Sequence, residues 1–165
     1  DIAALPPRIL GGALVIPMGL IDARLNSGAP DGFAEDTTEV ELIAMEAVMA
    51  AEKAAGRTPV DVSKFNRGWD IESFTDNGQM LLLEVKGRVV GGRDIIVTRN
   101  EMLKARNAGP QYHLVVVQVA QGFAHQPAYI ADPARHFWYE GDFKDTCRHY
   151  AVTDLLAVST GEPAL

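Results

Sequence analysis

The apolar positions of the chain change period several times, and each change marks an element. Residues 9–16 (ILGGALVI) are a continuous apolar run that reads as a short strand or extended arm, and the Gly, Pro and Asp residues after it, through Gly32, read as a loop or linker. From Thr38 to Ala55, Val40, Ile43, Ala47, Ala51 and Ala54 recur at helical spacing, with Gly56 as a stop signal, which predicts an amphipathic helix. Thr37 or Thr38 is placed to cap its start, and the acidic residues that follow suit the positive end of its dipole. Three runs rich in apolar or β-branched residues come next, Trp69 to Phe74, Met80 to Gly87 and Asp94 to Thr98, separated by Asp76-Asn77-Gly78 and by Gly91-Gly92. This pattern predicts a three-stranded meander. Asn100 to Asn107 is a short helix ending before Gly109 and Pro110, and Tyr112 to Val119 (YHLVVVQV) is apolar without alternation, as expected of a strand buried on both faces. The order α, β, β, β, α, β predicts one α/β domain with a central mixed sheet. Beyond it, Tyr129–Ile130 and Tyr150–Val152 are candidate edge strands, and Val152 to Val158 a candidate terminal helix.

Composition narrows the class. At 165 residues and 47% apolar content the chain can bury a sizeable core, which excludes disordered and low-complexity classes. A net charge of −7, from 15 basic and 22 acidic residues, excludes a uniformly basic polyanion binder. The charge is unevenly placed: residues 1–63 carry 4 basic and 10 acidic groups, 64–106 carry 8 and 6, and 107–165 carry 3 and 6. Only the middle third is positive, so phosphate-facing chemistry is expected there. The single cysteine, Cys147, forms no internal disulfide, and a cytoplasmic location is expected. The longest apolar stretch, Ile9 to Ile21, has 13 residues and contains Pro17, short of the roughly 20 a bilayer needs, so no membrane association is expected. The chain lacks a basic leader and starts at Asp1, which reads as a piece of a longer polypeptide.

Within LLLEVKG, Glu84 and Lys86 are two apart and share a strand face, while Leu83 and Val85 point into the core. In the preceding run, WDIES places Asp70 on one face and Trp69 and Ile71 on the other; pairing of the two strands through the Asp76-Asn77-Gly78 turn brings Asp70 toward Glu84. Two carboxylates beside a lysine suit phosphodiester hydrolysis, which needs a hard cation to neutralise phosphate charge and to activate water. Asp70 and Glu84 would supply oxygen ligands to Mg²⁺ or Mn²⁺, the main-chain carbonyl of Val85 a further one, and Lys86 would orient water or stabilise the transition state. An E-x-K triplet alone also fits an exposed strand face with a weak ion pair; here four apolar residues before it, a Gly after it and an Asp in the previous strand favour the chemical reading.

Thr38 to Val119 resembles the NO VEIN C-terminal domain family, a branch of the PD-(D/E)xK nuclease-like fold, through GWDIES at 68–73, LEVKG at 83–87, VTRNE at 97–101 and HLVVVQV at 113–119. The resemblance implies a restriction-endonuclease-like αβββαβ core at 37–120, with 1–36 an arm or linker from a preceding region and 121–165 an extension packed on the core. It implies a nuclease signature of Asp70, Glu84 and Lys86, DNA as substrate, and a place at the C-terminal end of a Swi/Snf-type helicase ATPase, some of which belong to phage defence. An alternative it leaves open is a nuclease fold that has lost catalysis and only binds nucleic acid or its helicase. In such folds the first helix often contributes an acidic residue; Glu41 and Glu52 share one stripe with Met45 and Val48, and Glu41 is preferred because related sequences carry a glutamate near the helix start.

Arg99 stands at a strand-to-helix junction where Asn100 is placed to cap the helix and the free N–H groups to bind phosphate, so Arg99 is expected at the DNA backbone. Glu101 reads equally well as the ordinary acidic residue of a first turn and is left outside the site. Lys64, Arg67, Arg88, Arg93, Lys104 and Arg106 complete a basic set that would line a groove. His113, His125, His136 and His149 have no ligand spacing that suggests zinc. Phe137, Trp138 and Tyr139 form an aromatic cluster suited to capping the tail or stacking bases, and Gly91-Gly92 lacks the helix and lysine of a nucleotide-binding loop.

Overall fold

A computed structural model describes residues 37–137 and 146–163. The 1–36 arm, with its apolar run at 9–16 and the loop after it, the side chain of Thr37, and Trp138 and Tyr139 lie outside the described residues. The helical period is realised as α1 (Thr37–Ala54), whose stripe buries Ala44 and Val48 against Ile71, Leu81, Leu83, Val115 and Val117. Five further elements carry the centre of the fold: β1 (Thr58–Asp61), β2 (Ile71–Phe74), β3 (Met80–Val89), β4 (Asp94–Thr98) and α2 (Arg99–Ala108). After them come β5 (Tyr112–Ala120), β6 (Phe123–Ala124), β7 (Ala128–Ala131), the single turn α3 (Pro133–His136), β8 (Cys147–Ala151) and α4 (Val152–Ala157).

The main sheet runs β1-β2-β3-β5-β6, with β7 also on β5. β1, β2 and β3 pair antiparallel and β3 with β5 parallel, so the mixed α/β architecture expected from the sequence is present, with β1 as an added strand. The third strand of the expected meander is a correction. β4 does not join β3; it pairs antiparallel with β8 in a separate two-stranded sheet. The physical reason lies in the burial patterns. β4 buries only Ile95 and Val97 and exposes the residues between, which suits a ribbon laid over the core, whereas β5 buries both faces and takes the central place beside β3. Val115 and Val117 face α1; Leu114 and Val116 meet Ile95, Val97, Ile130, Val152 and Leu155.

α1 lies directly against β3 at Gly87, where a Cβ would stand 2.7 Å from the Val40 carbonyl oxygen and 3.0 Å from Ala44 Cβ. Backbone on one side and packed core on the other leave no room to yield. Gly87→Ala is therefore expected to lower stability by about 1–3 kcal/mol in denaturant titrations, as overpacking does; an unchanged midpoint would show that α1 shifts freely.

Glu52, the second acidic residue of that helix stripe, is wholly buried between α1 and the sheet. Arg57 grips both its oxygens (2.6 and 2.8 Å), and the hydroxyls of Ser73 (2.7 Å) and Tyr129 (2.8 Å) donate to them. Burial alone would raise its pKa, but these hydrogen bonds and the Arg57 charge hold it below the ordinary glutamate value. The carboxylate thus links α1, β2 and β7.

Candidate functional site

The turn at Gly68 leads into the face of the sheet opposite α1. Gly68 has φ +91°, and a Cβ there would meet Lys104 Cγ at 2.7 Å, so α2 packs directly on this backbone. The hydroxyl of Tyr112, the first residue of β5, donates to the Gly68 carbonyl (3.0 Å) and fixes the turn from the other side. Asp70 follows at the point where the β2–β3 ladder opens. Its N–H donates to the Leu83 carbonyl (2.9 Å), its carbonyl accepts from Val62 N–H (2.8 Å), and its Oδ2 accepts from Val85 N–H (2.9 Å). The side chain thus takes a ladder position that a main-chain carbonyl would otherwise fill.

The register Ile71↔Leu83 sets Asp70 beside Glu84, as expected from the sequence. One part of that expectation needs correcting: Trp69 does not share the face of Ile71. It precedes β2 and packs with Leu82, Ala105 and Tyr112, whereas Ile71 belongs to the core beneath α1. Glu84 is 5% exposed, and Lys86 on the same face holds its Oε1 at 2.8 Å. The same ammonium holds Glu101 Oε2 at 3.0 Å. Glu101, set outside the site on sequence grounds, therefore stands inside it.

A capping box puts Glu101 there. Thr98, not Asn100, is the N-cap of α2: Glu101 N–H donates to Thr98 Oγ1 (3.3 Å), and Thr98 N–H donates to Glu101 Oε2 (2.9 Å). The helix begins one residue earlier than expected, and the Asn100 side chain packs against Gly68 instead. The Thr-x-x-Glu spacing was the signal for this arrangement. Thr98→Ala is expected to cost about 1 kcal/mol of stability, measured as a lower thermal midpoint; no change would mean that the Lys86 contact alone holds Glu101.

Three carboxylates, Asp70, Glu84 and Glu101, surround one ammonium. Burial is the largest influence on Glu84 and pushes its pKa up to about 8; the negative charges of Asp70 and Glu101 add to the rise, and Lys86 only partly offsets it. Burial also raises Asp70, against the Val85 N–H and Lys86. For Lys86 burial acts downward, but Glu84 and Glu101 outweigh it and the pKa rises. Tyr112 is raised chiefly by burial, and the negative charges of the same three carboxylates add to the rise. The site is short of positive charge.

The donor set is hard oxygen. Among the described residues no three His, Cys, Asp or Glu side chains form a ready metal cage. Mg²⁺ needs none: it keeps several waters and is usually held by one or two carboxylates together with substrate phosphate. Asp70 and Glu84, with the carbonyl of Val85 next in sequence after Glu84, fit that requirement and would gain the countercharge they lack. Glu41 does not contribute. It is exposed on α1, which covers the other face of β3, so the preferred first-helix ligand is a correction.

The basic residues do not form one groove. Arg67 and Lys104 stand near Trp69, with Lys104 Nζ 5.6 Å from its ring centroid and Arg67 paired with Glu72, and Lys64 lies in the turn Ser63–Phe65 ahead of them. Arg88 and Arg93 flank the β3–β4 turn, with Arg88 folded over Gly92, and Arg99 opens α2 with its N–H on the Thr146 carbonyl. Arg106 is exposed in the last turn of α2. No helix among the described residues is long and apolar enough to cross a membrane.

A family model described as Protein NO VEIN, C-terminal, matches residues 40–130, more than half of the chain and the whole span that carries Asp70, Glu84, Lys86 and Glu101. No curated protein and no solved structure matches the chain. The chain belongs to the family defined by the C-terminal domain of Protein NO VEIN.

Proposed function

We propose that the domain hydrolyses phosphodiester bonds of DNA with Mg²⁺ or Mn²⁺ held by Asp70 and Glu84. The observation that carries this reading is the buried cluster itself, in which two converging carboxylates stand at raised pKa beside a lysine anchored by a third carboxylate. Buried, undercompensated carboxylates work against folding, and a site for a divalent cation explains why they are there. The bound cation would neutralise charge on phosphate oxygens and acidify water. Lys86 presents N–H donors from a fixed position, to water before attack and to the phosphate oxygens as charge builds on them. Glu101 keeps Lys86 charged and aimed, and the capping box keeps Glu101 in place. The water oxygen forms the new P–O bond and gives its proton to solvent, while the bond to the leaving oxygen breaks and that oxygen takes a proton from solvent.

A chain with net charge −7 grips DNA weakly by itself. A helicase-type ATPase region of the same polypeptide or complex would supply that grip, which fits the helicase-borne members this sequence resembles. Calorimetric titration with Mg²⁺ and Mn²⁺, followed by incubation with single-stranded, duplex and forked DNA, tests the reading. Saturable metal binding with cleavage is the expected result. Absence of metal binding at millimolar concentration together with absence of cleavage would overturn it in favour of a module that binds without cutting.

A further inference from the structure

The loop leading into Asp70 carries a second feature that the cleavage chemistry does not use. Val62 N–H on the Asp70 carbonyl closes residues 62–70 into a pinned loop (2.8 Å). Its first part is a 3-10 turn, Ser63–Phe65, started by the Asp61 carboxylate, which accepts from Ser63 N–H (3.0 Å) and Oγ–H (2.7 Å), and ended by Asn66 at φ +49°. The turn presents Phe65 to solvent at 67% exposure. Arg67 Cζ lies 5.3 Å from the Phe65 ring centroid, and Lys104 faces Trp69 in the same way. Lys64, Phe65, Arg67 and Trp69 thus alternate cation and ring along nine residues that end in a candidate metal ligand.

We infer that Phe65 is a stacking platform for an unpaired nucleobase, with Lys64, Arg67 and Lys104 taking the neighbouring phosphates, so that the preferred ligand is a single-stranded nucleic acid. The inference rests on the nucleic-acid reading above. An exposed phenyl ring loses nothing by meeting a base face, and every base has one, whereas the bases of a duplex are already stacked on each other. Local charge complementarity favours a polyanion in a chain that is acidic elsewhere: Asp61 and Glu72 answer part of the charge of Lys64 and Arg67, and Lys104 remains close to the Trp69 ring. Phe123 is still more exposed, at 76%, but follows the far end of β5, while Tyr112 at the near end holds Gly68. It serves as the control.

The experiment is fluorescence anisotropy of the whole chain with a labelled oligothymidylate of about 12 nucleotides in EDTA, so that metal binding and cleavage do not enter. Phe65→Ala is expected to weaken binding about tenfold, as loss of one stacked base does. Phe65→Trp should restore it, Phe123→Ala should leave it unchanged, and an abasic strand of equal length should bind Phe65→Ala and the parent alike. The inference is overturned if no oligonucleotide binds, if Phe65→Ala stays within twofold of the parent, if a duplex of the same length binds better than the single strand, or if polyglutamate competes as well as the oligonucleotide. A parent that cuts DNA while Phe65→Ala binds and cuts normally would remove this inference and leave the proposed nuclease standing.

Discussion

Lys86→Ala should reduce DNA cleavage by about 100-fold or more while metal binding persists, because a preorganised charge at a phosphoryl transition state is worth on the order of 3 kcal/mol. The ammonium sits between two carboxylates and its pKa is raised, so it stays charged across the physiological range. Removing it strips Glu84 and Glu101 of their paired cation and Asp70 of a nearby positive charge, which strengthens the pull on a divalent ion. Glu84→Ala and Asp70→Ala should behave differently and lose metal binding along with activity. Single-turnover cleavage at saturating Mg²⁺, paired with calorimetry, separates the two classes. If Lys86→Ala retains more than a tenth of the parent rate, the lysine has no part in the chemistry and the cluster is a structural ion pair.

The contrast between these variants depends on a site that was only partly legible in the sequence. Strand parity fixed Glu84 and Lys86 on one face, because spacing within a single strand needs no tertiary information. Asp70 needed the β2–β3 register, and the hydrophobic residues Ile71 and Leu83, paired in the core, set it. Glu101 was visible as half of a Thr-x-x-Glu capping box, yet a capping box says nothing about which strand the helix start will face. Only the packing of α2 on Gly68 and β5 brings its carboxylate to Lys86. Glu52 was hidden for a similar reason: Ser73 and Tyr129, which satisfy it, are 21 and 77 residues away along the chain. Burial of a charged group is settled by partners that local pattern does not name. The displacement of β4 belongs to the same class, since its partner β8 lies about fifty residues further along the chain.

In the absence of divalent cations the domain should become less stable as pH rises from about 4.5 toward about 8, and Glu84→Gln should flatten that decline. A glutamate whose pKa moves from 4.5 in the open chain to about 8 when folded binds a proton in the native state that the unfolded state has already lost. Folding therefore weakens as pH climbs through this window, by an amount on the order of a few kcal/mol. Asp70, also raised, acts in the same direction. Glu52 acts oppositely but elsewhere: its lowered pKa contributes stability that is present above its ordinary value of 4.5 and lost only on acidification below it. Lys86 is raised from 10.5, so its contribution fades only in strong alkali. Gln keeps the shape of Glu84 and offers its amide oxygen to Lys86, so denaturant unfolding of parent and variant in EDTA between pH 5 and pH 8.5 isolates the carboxyl, and histidines common to both cancel. Saturating Mg²⁺ should then stabilise the parent most at the alkaline end, where the proton no longer competes for Glu84, and leave the variant nearly unmoved. Parallel pH profiles for parent and Glu84→Gln, or an equal response of both to Mg²⁺, would mean that Glu84 is not the buried acid and cation ligand on which the proposed chemistry depends.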